Sequence, residues 1–207
     1  MTPPGTLVIA CGALARELLE VTRRNGLDEV SIECLPASLH NRPSEIPEAV
    51  RERIERARPM YSDERILVGY ADCGTGGLLA QVCAEEGVEM LAGAHCYEFF
   101  ATAERFAELQ DDEIGSFYLT DFLVRHFDRL VWQGLALDRH PELRDSYFGN
   151  YTRLVYLAQT DDPALVSAAE RAARRLAMPL HIERTTYGDL EPAVVEFSGR
   201  RTADARQ

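Results

Sequence analysis

Lysine is absent from this chain: every one of its 22 basic residues is an arginine. That gap removes lysine Schiff-base chemistry and the P-loop, whose lysine reaches the phosphates of a bound nucleotide. An excess of positive charge is missing as well. The 34 acidic residues outweigh the basic ones to give a net charge of -12, which repels phosphate backbones at long range and argues against a nucleic-acid partner. No apolar run approaches the roughly 20 residues that cross a bilayer. The opening Met1-Thr2-Pro3-Pro4-Gly5 has no basic segment leading into an apolar stretch, so the expected location is the cytoplasm, away from any membrane.

What is present is ordinary globular material, 46% hydrophobic and 27% charged over 207 residues, enough to bury a full core. Five cysteines, an odd number in a chain expected to lie in a reducing compartment, argue for free thiols rather than a disulfide framework.

Three strand–turn–helix–strand repeats are legible. In the first, residues 7–10 read as a strand, 13–24 as a helix with an apolar stripe of Leu14, Leu18, Leu19 and Val21, and 30–35 as a second strand. The second runs through a strand at 66–70, a helix at 77–86 stopped by Gly87, and a strand at 88–92. The third has a strand at 154–158, a helix at 163–177 capped by Asp162, and a strand at 180–183. The pattern predicts an α/β fold with mainly parallel sheet from three βαβ-like units and helices on both faces. It predicts a single domain over 1–198, with units near 5–60, 64–150 and 151–198 and a frayed tail at 199–207. Residues 47–58 read as a connecting helix and 97–138 as a helical insert whose aromatics, Phe99, Phe100, Phe106, Phe117, Tyr118, Phe122, Phe127 and Trp132, are expected in the core.

Parallel strands place their carboxyl ends on one rim, where side chains distant in sequence gather around a crevice. Cys11, Cys73 and the pair His95-Cys96 each follow an apparent strand. Cys11 and Cys73 also precede a glycine and a helix start, whose dipole favours the thiolate that zinc or iron binds. Cys34, inside a strand, and Cys83, inside a helix, read as small core residues. Adjacent side chains on a regular strand point opposite ways, so either Cys96 or His95 is the expected third ligand. The loop at 36–44 begins on the same rim; His40 in it is a candidate acid, base or ligand, and Arg42 a candidate anion clamp. Asp72 is a candidate for orienting a histidine or a water, or else a helix cap. Gly74-Thr75-Gly76-Gly77 reads as an anion cradle without the spacing of a nucleotide motif, so Gly74, Thr75 and Gly76 are the candidate cofactor-binding residues. Glu98, Tyr118 and Asp121 are secondary polar candidates, and the corresponding turn of the third unit, Gln159-Thr160-Asp161, has no cysteine.

Taken together, Ala10-Cys11-Gly12-Ala13-Leu14, Leu35-Pro36 with His40-Asn41-Arg42-Pro43, Tyr70-Ala71-Asp72-Cys73-Gly74 and His95-Cys96-Tyr97-Glu98 resemble the bacterial and archaeal family catalogued as domain of unknown function 1638. The resemblance implies a genomic setting beside corrinoid proteins and methyltransferases for methylated amines, and so a role in one-carbon metabolism. The layout also looks like quinolinate synthase, whose three related domains each give one cysteine to a [4Fe–4S] cluster. Here the third unit lacks that cysteine, and the third thiol comes from Cys96 in the second.

The leading expectation is a metal-dependent transferase or lyase. Zinc would be held by Cys11, Cys73 and Cys96 or His95, and would activate a small substrate thiol for methyl transfer. A [4Fe–4S] dehydratase or condensing enzyme is the alternative cofactor reading, and a non-enzymatic partner of a corrinoid protein or methyltransferase is a third. A homo-oligomer is left open.

Overall fold

The computed structural model describes residues 5–204, with side chains to residue 199. The described backbone divides into two compact units, one running up to residue 99 and resuming at 189, the other of residues 100–188. Each carries its own all-parallel sheet, so the fold is α/β. The first two expected repeats fall in the first unit and the third repeat in the second.

In the first unit β1 (Thr6–Cys11) is followed by a 3-10 turn at Gly12–Leu14, α1 (Ala15–Arg24) and β2 (Val30–Leu35). A loop of two short 3-10 turns leads into α2 (Ile46–Ala57), then β3 (Ile66–Gly69), α3 (Leu78–Glu86), β4 (Glu89–Met90) and α4 (Cys96–Ala101). The strand order is β2-β1-β3-β4. β1 is buried along its whole length because it has a neighbour on each side and helices against it, which is why it reads as a continuous apolar run rather than an alternating one. Along α1, Leu14, Leu18 and Val21 are buried while Leu19 is 59% exposed; at 100° per residue Leu19 is carried off the stripe on which the sequence pattern placed it. In α2, Ile46, Val50 and Ile54 repeat every four residues and are fully buried. Gly87, in the left-handed region, ends α3 as expected.

β4 is shorter than expected. The chain beyond it leaves regular strand geometry but keeps bonding to its neighbour: Leu91 N–H donates to Val68 O at 3.1 Å, Asp72 N–H to Gly93 O at 3.0 Å and Cys73 N–H to Ala94 O at 3.0 Å. These bonds lash the segment after β3 to the segment after β4.

The second unit corrects the reading of 97–138 as wholly helical. After α5 (Ala103–Asp112) comes a strand, β5 (Ser116–Thr120), then α6 (Asp121–Arg125), a π-helical turn at Asp128–Trp132 and α7 (Arg144–Phe148). β6 (Arg153–Ala158), α8 (Pro163–Leu176) and β7 (Leu180–Arg184) form the third repeat, with Asp162 capping α8 through Ala164 N–H at 2.9 Å. The order is β5-β6-β7. β5 is five residues with helical pattern on both sides, so periodicity hides it. Phe99, Phe100, Tyr118 and Phe127 are buried as expected, and Phe106, Phe117, Phe122 and Trp132 are half-buried. α9 (Leu190–Asp204) belongs to the first unit, where Leu190, Val194 and Phe197 are buried and Asn25 donates to Glu191 at 2.7 Å. Helix therefore continues through most of the stretch expected to fray, because its first turns have a core to pack into.

At the carboxyl end of β5 the fully buried Asp121 gathers the rim of the second sheet. It accepts from Tyr156 O–H at 2.7 Å, Thr160 O–H at 2.6 Å and Gln159 N–H at 3.1 Å, with Arg125 at 3.4 Å. Its carboxylate is spent on the scaffold. Asp121→Asn places an amide donor among these donors and is expected to cost about 2–4 kcal/mol. Urea denaturation followed by the fluorescence of Trp132, the single tryptophan, checks this; an unchanged midpoint contradicts it.

Candidate metal centre

The first sheet has a topological switch point. From β1 the chain goes first to β2 on one side, then crosses to β3 on the other, so the connections leaving β1 and β3 diverge and open a crevice between their carboxyl ends. The second sheet, β5-β6-β7, winds in one direction and has no such point. Cys11 is the last residue of β1. Ala10 pairs with Gly69, so one row further on Cys11 faces Tyr70, and Cys73 follows three residues later. His40 arrives from the loop after β2, in the 3-10 turn Ala37–Asn41. His95 precedes α4 and Cys96 opens it.

The structure brings these groups together. Cys11 Sγ lies 3.6 Å from His40 Nδ1 and accepts Ala13 N–H at 3.3 Å, capping the 3-10 turn. Cys96 Sγ lies 3.5 Å from His95 Nδ1, and the His40 and His95 rings are 6.3 Å apart. Cys73 sits among Cys96, His40 and His95. The Cys96 thiol donates to its sulfur, the His40 imidazole adds a second hydrogen bond and a positive charge, and together these outweigh burial to bring the Cys73 thiol down to about 4. Reciprocally, hydrogen bonds to Cys11 and then Cys73 hold the His40 imidazolium up to about 10. The bond to Cys73, reinforced by burial, pushes the Cys96 thiol up. At neutral pH this corresponds to a Cys73 thiolate beside a charged His40.

The source of the Cys73 thiolate differs from expectation. Its turn does not begin a helix: α3 starts at Leu78 behind Gly77. Cys73 itself holds a left-handed backbone, φ 50°, a conformation a β-carbon resists and which the surrounding bonds must maintain. Neighbouring side chains, not a helix dipole, stabilise the anion.

His95 and Cys96 separate in role. His95 Nδ1 accepts Tyr97 N–H at 3.3 Å and its ring lies against Tyr97, 3.9 Å between centroids. A ring nitrogen engaged as acceptor leaves the proton of the neutral ring on the other nitrogen, and burial keeps His95 below its ordinary value and so neutral. Nδ1 of His95 is thus engaged with the Tyr97 N–H, while the Cys96 thiol is hydrogen-bonded to Cys73.

Asp72, Arg42 and the glycine turn are placed otherwise than as catalytic or anion-binding groups. Asp72 accepts from Thr75 O–H at 2.8 Å, Gly76 N–H at 3.1 Å and Gly77 N–H at 2.7 Å. The N–H groups expected to cradle an external anion are turned on the protein's own carboxylate, and Thr75 in turn caps α3 through Leu79 N–H. Gly74 and Gly76 supply left-handed backbone here, φ 84° and 65°. Arg42 is 72% exposed and pairs with Glu45 at 3.0 Å, so it clamps nothing in the crevice. Glu98 accepts Ala94 N–H at 3.0 Å and holds the turn before His95. Cys83 is buried in α3, and burial pushes its thiol up to about 11. Cys34 is half-buried on β2, its thiol raised by burial and then by Cys11.

One residue of the site escaped sequence reading. Tyr70, 1% exposed, stacks on His40 with centroids 6.4 Å apart and planes 16° apart. Burial, then the charges of the Cys11 and Cys73 sulfurs and a hydrogen bond to Cys11, hold its phenol above the ordinary range. Its position one residue past β3, in register with Cys11, was the available signal. Among the described residues no group of three or more His, Cys, Asp or Glu side chains is arranged to hold a metal ion. The sulfurs are hydrogen-bonded to imidazoles, and the Cys96 thiol to Cys73, instead.

The sequence matches the family described as "Protein of unknown function (DUF1638)" over residues 34–194, more than half of the chain, and the protein belongs to that family. The matched segment holds His40, Cys73, His95 and Cys96; β1 and Cys11 precede it. No curated protein and no solved structure matches the chain.

The carboxyl of Asp72 is held below its ordinary range by Gly77 N–H, the Thr75 hydroxyl and Gly76 N–H, so what it contributes to stability is present above about pH 4 and fades as pH falls through its folded value. Asp72→Asn is expected to lose about 1 kcal/mol at pH 7, modest because the turn is partly solvated, and less than that near pH 3. Urea denaturation at the two pH values checks this; an equal deficit at both contradicts it.

Proposed function

We propose that this protein is a metal-dependent enzyme in which Cys11, Cys73 and Cys96 hold one zinc ion at the carboxyl rim of the first sheet, with His40 over the remaining side. The observation that carries the reading is the convergence of three thiols and an imidazole at the switch point from four separate segments of chain. The donor set fits a thiophilic ion: sulfur ligands suit zinc or an iron–sulfur cluster, and one of them is already held as a thiolate. Spacing does not carry the fit, because loading exchanges the sulfur–imidazole hydrogen bonds for metal bonds.

Zinc held by Cys11, Cys73 and Cys96 would supply a Lewis acid that lowers the pKa of a substrate thiol. The chain's own residues do the rest. His40, freed from the sulfurs on loading, is placed to take or return a proton at the substrate. Tyr70 stacks on His40 and fixes its ring. The loop at 37–41 brings His40 over the crevice. We place the substrate among small molecules of methyl-group metabolism, with a corrinoid protein or methyltransferase as partner, on the strength of the family resemblance. A [4Fe–4S] cluster on the same three cysteines is the alternative cofactor.

The hydrogen bond between Cys73 and His40 favours a second reading, a metal-free thiolate–imidazolium pair in which Cys73 is a nucleophile and His40 its partner. Metal analysis of anaerobically purified protein decides among them. The zinc reading predicts a colourless protein with about one zinc per chain, lost by at least tenfold in occupancy in Cys11→Ser, Cys73→Ser and Cys96→Ser but kept in Cys83→Ser. A brown protein with broad absorption near roughly 400 nm establishes the cluster. No metal, with activity lost only in the Cys73 and His40 variants, establishes the thiolate pair.

A further inference from the structure

Of the cysteines at the crevice, Cys73 and Cys96 are hydrogen-bonded to each other. The backbone sets that meeting independently of the side chains: Asp72 N–H donates to Gly93 O and Cys73 N–H to Ala94 O, both at 3.0 Å, which lays Cys73 beside the residue two positions before Cys96. Segments pinned in this way bring their α-carbons toward the separation a disulfide spans, roughly 4.4–6.8 Å. Cys73 is buried but Cys96 is only half-buried, so a small solute reaches the pair from the Cys96 side. Cys11 differs. Its sulfur caps the turn after β1 through Ala13 N–H at 3.3 Å and faces His40 at 3.6 Å, and rotating it toward another sulfur uncaps that turn. Cys34 and Cys83 lie on other elements, β2 and α3.

We propose that Cys73 and Cys96 form a redox-active dithiol, oxidised by hydroperoxides to a disulfide within the chain that takes both sulfurs out of the site. In the first step the Cys73 sulfur attacks the peroxide: a sulfur–oxygen bond forms, the oxygen–oxygen bond breaks, and the departing oxygen picks up a proton and leaves as water, with a sulfenic acid on Cys73. The Cys96 sulfur then attacks Cys73. The sulfur–sulfur bond forms, the sulfur–oxygen bond breaks, and the hydroxyl leaves with the Cys96 proton as a second water. Two thiols have lost two electrons, and one hydrogen peroxide has gained them. A second thiol in contact is what makes such oxidation reversible, because it captures the sulfenic acid before further oxygen is added. The bridge itself rests only on the contact between the two thiols. Its consequence rests on the reading proposed above: the bridge removes two of the three sulfurs assigned to zinc.

The test treats reduced full-length protein with hydrogen peroxide, both zinc-loaded and after stripping with a chelator. Cleavage after glutamate parts Cys73 from Cys96, because Glu85, Glu86 and Glu89 lie between them, and mass spectrometry reads which cysteines are joined; Cys83→Ser in parallel excludes the other cysteine on the Cys73 peptide. The expected result is loss of two of the five thiols, a Cys73–Cys96 bridge within one chain in wild type and in Cys83→Ser, and return of both thiols with dithiothreitol. Cys96→Ser, which has no thiol to capture the sulfenic acid, is expected to pass to a sulfinic acid that dithiothreitol does not reverse. A bridge that uses Cys11, a bridge between chains, irreversible oxidation of wild-type Cys73, or survival of all the thiols overturns the proposal. Zinc content separates this inference from the metal reading. Bridging is expected to lower zinc occupancy about tenfold or more. A bridge in a protein that binds no zinc, or that keeps its zinc once bridged, overturns the metal reading and keeps this one; zinc bound by reduced protein that forms no bridge does the reverse.

Discussion

Parallel pairing of β1 with strands on both of its edges is the constraint from which the site follows. A strand placed between β2 and β3 must be apolar on both faces, and its row of Leu7, Val8, Ile9 and Ala10 is fully buried. The same placement forces the chain to leave β1 in one direction and return on the other side. The connections then part at the carboxyl rim, where Cys11 ends β1 and Tyr70 lies one residue past β3. The second sheet obeys the same pairing rules without the reversal, and its rim is filled by the Asp121 network rather than left open.

Around the gap, charge is distributed by hydrogen bonding more than by helix ends. Cys73 is ringed by the Cys96 thiol and the His40 imidazole, and the backbone bonds from Asp72 and Cys73 to Gly93 and Ala94 bring the two cysteine-bearing segments side by side. The left-handed backbone of Cys73 is one cost of that arrangement. The Asp72 turn helps to hold it, with one carboxylate collecting a hydroxyl and two N–H groups that would otherwise be loose.

Much of this was legible in sequence. Apolar runs located six of the seven strands, and the position of cysteines after those runs foretold that Cys11, Cys73 and Cys96 would meet with His40 and His95. What failed to show has physical reasons. β5 is short, and its partner β6 lies more than thirty residues away, so no local pattern distinguishes it from the helices around it. The glycines at 74 and 76 have the composition of an anion cradle, but composition does not say that Asp72, two to four residues before them, supplies the anion. Arg42 was read as a clamp from its place in a rim loop, yet Glu45, one helical turn on, claims it. Tyr70 was hidden because a tyrosine at a strand end reads as ordinary core until its ring is found stacked on His40.

The central claim is that three sulfurs from β1, the β3 turn and the start of α4 share one ion. X-ray absorption at the zinc edge of the zinc-loaded protein measures that sphere directly. The account predicts three sulfur scatterers at about 2.3 Å with one lighter ligand. A sphere of nitrogen and oxygen alone, or a protein that retains no zinc, would contradict it.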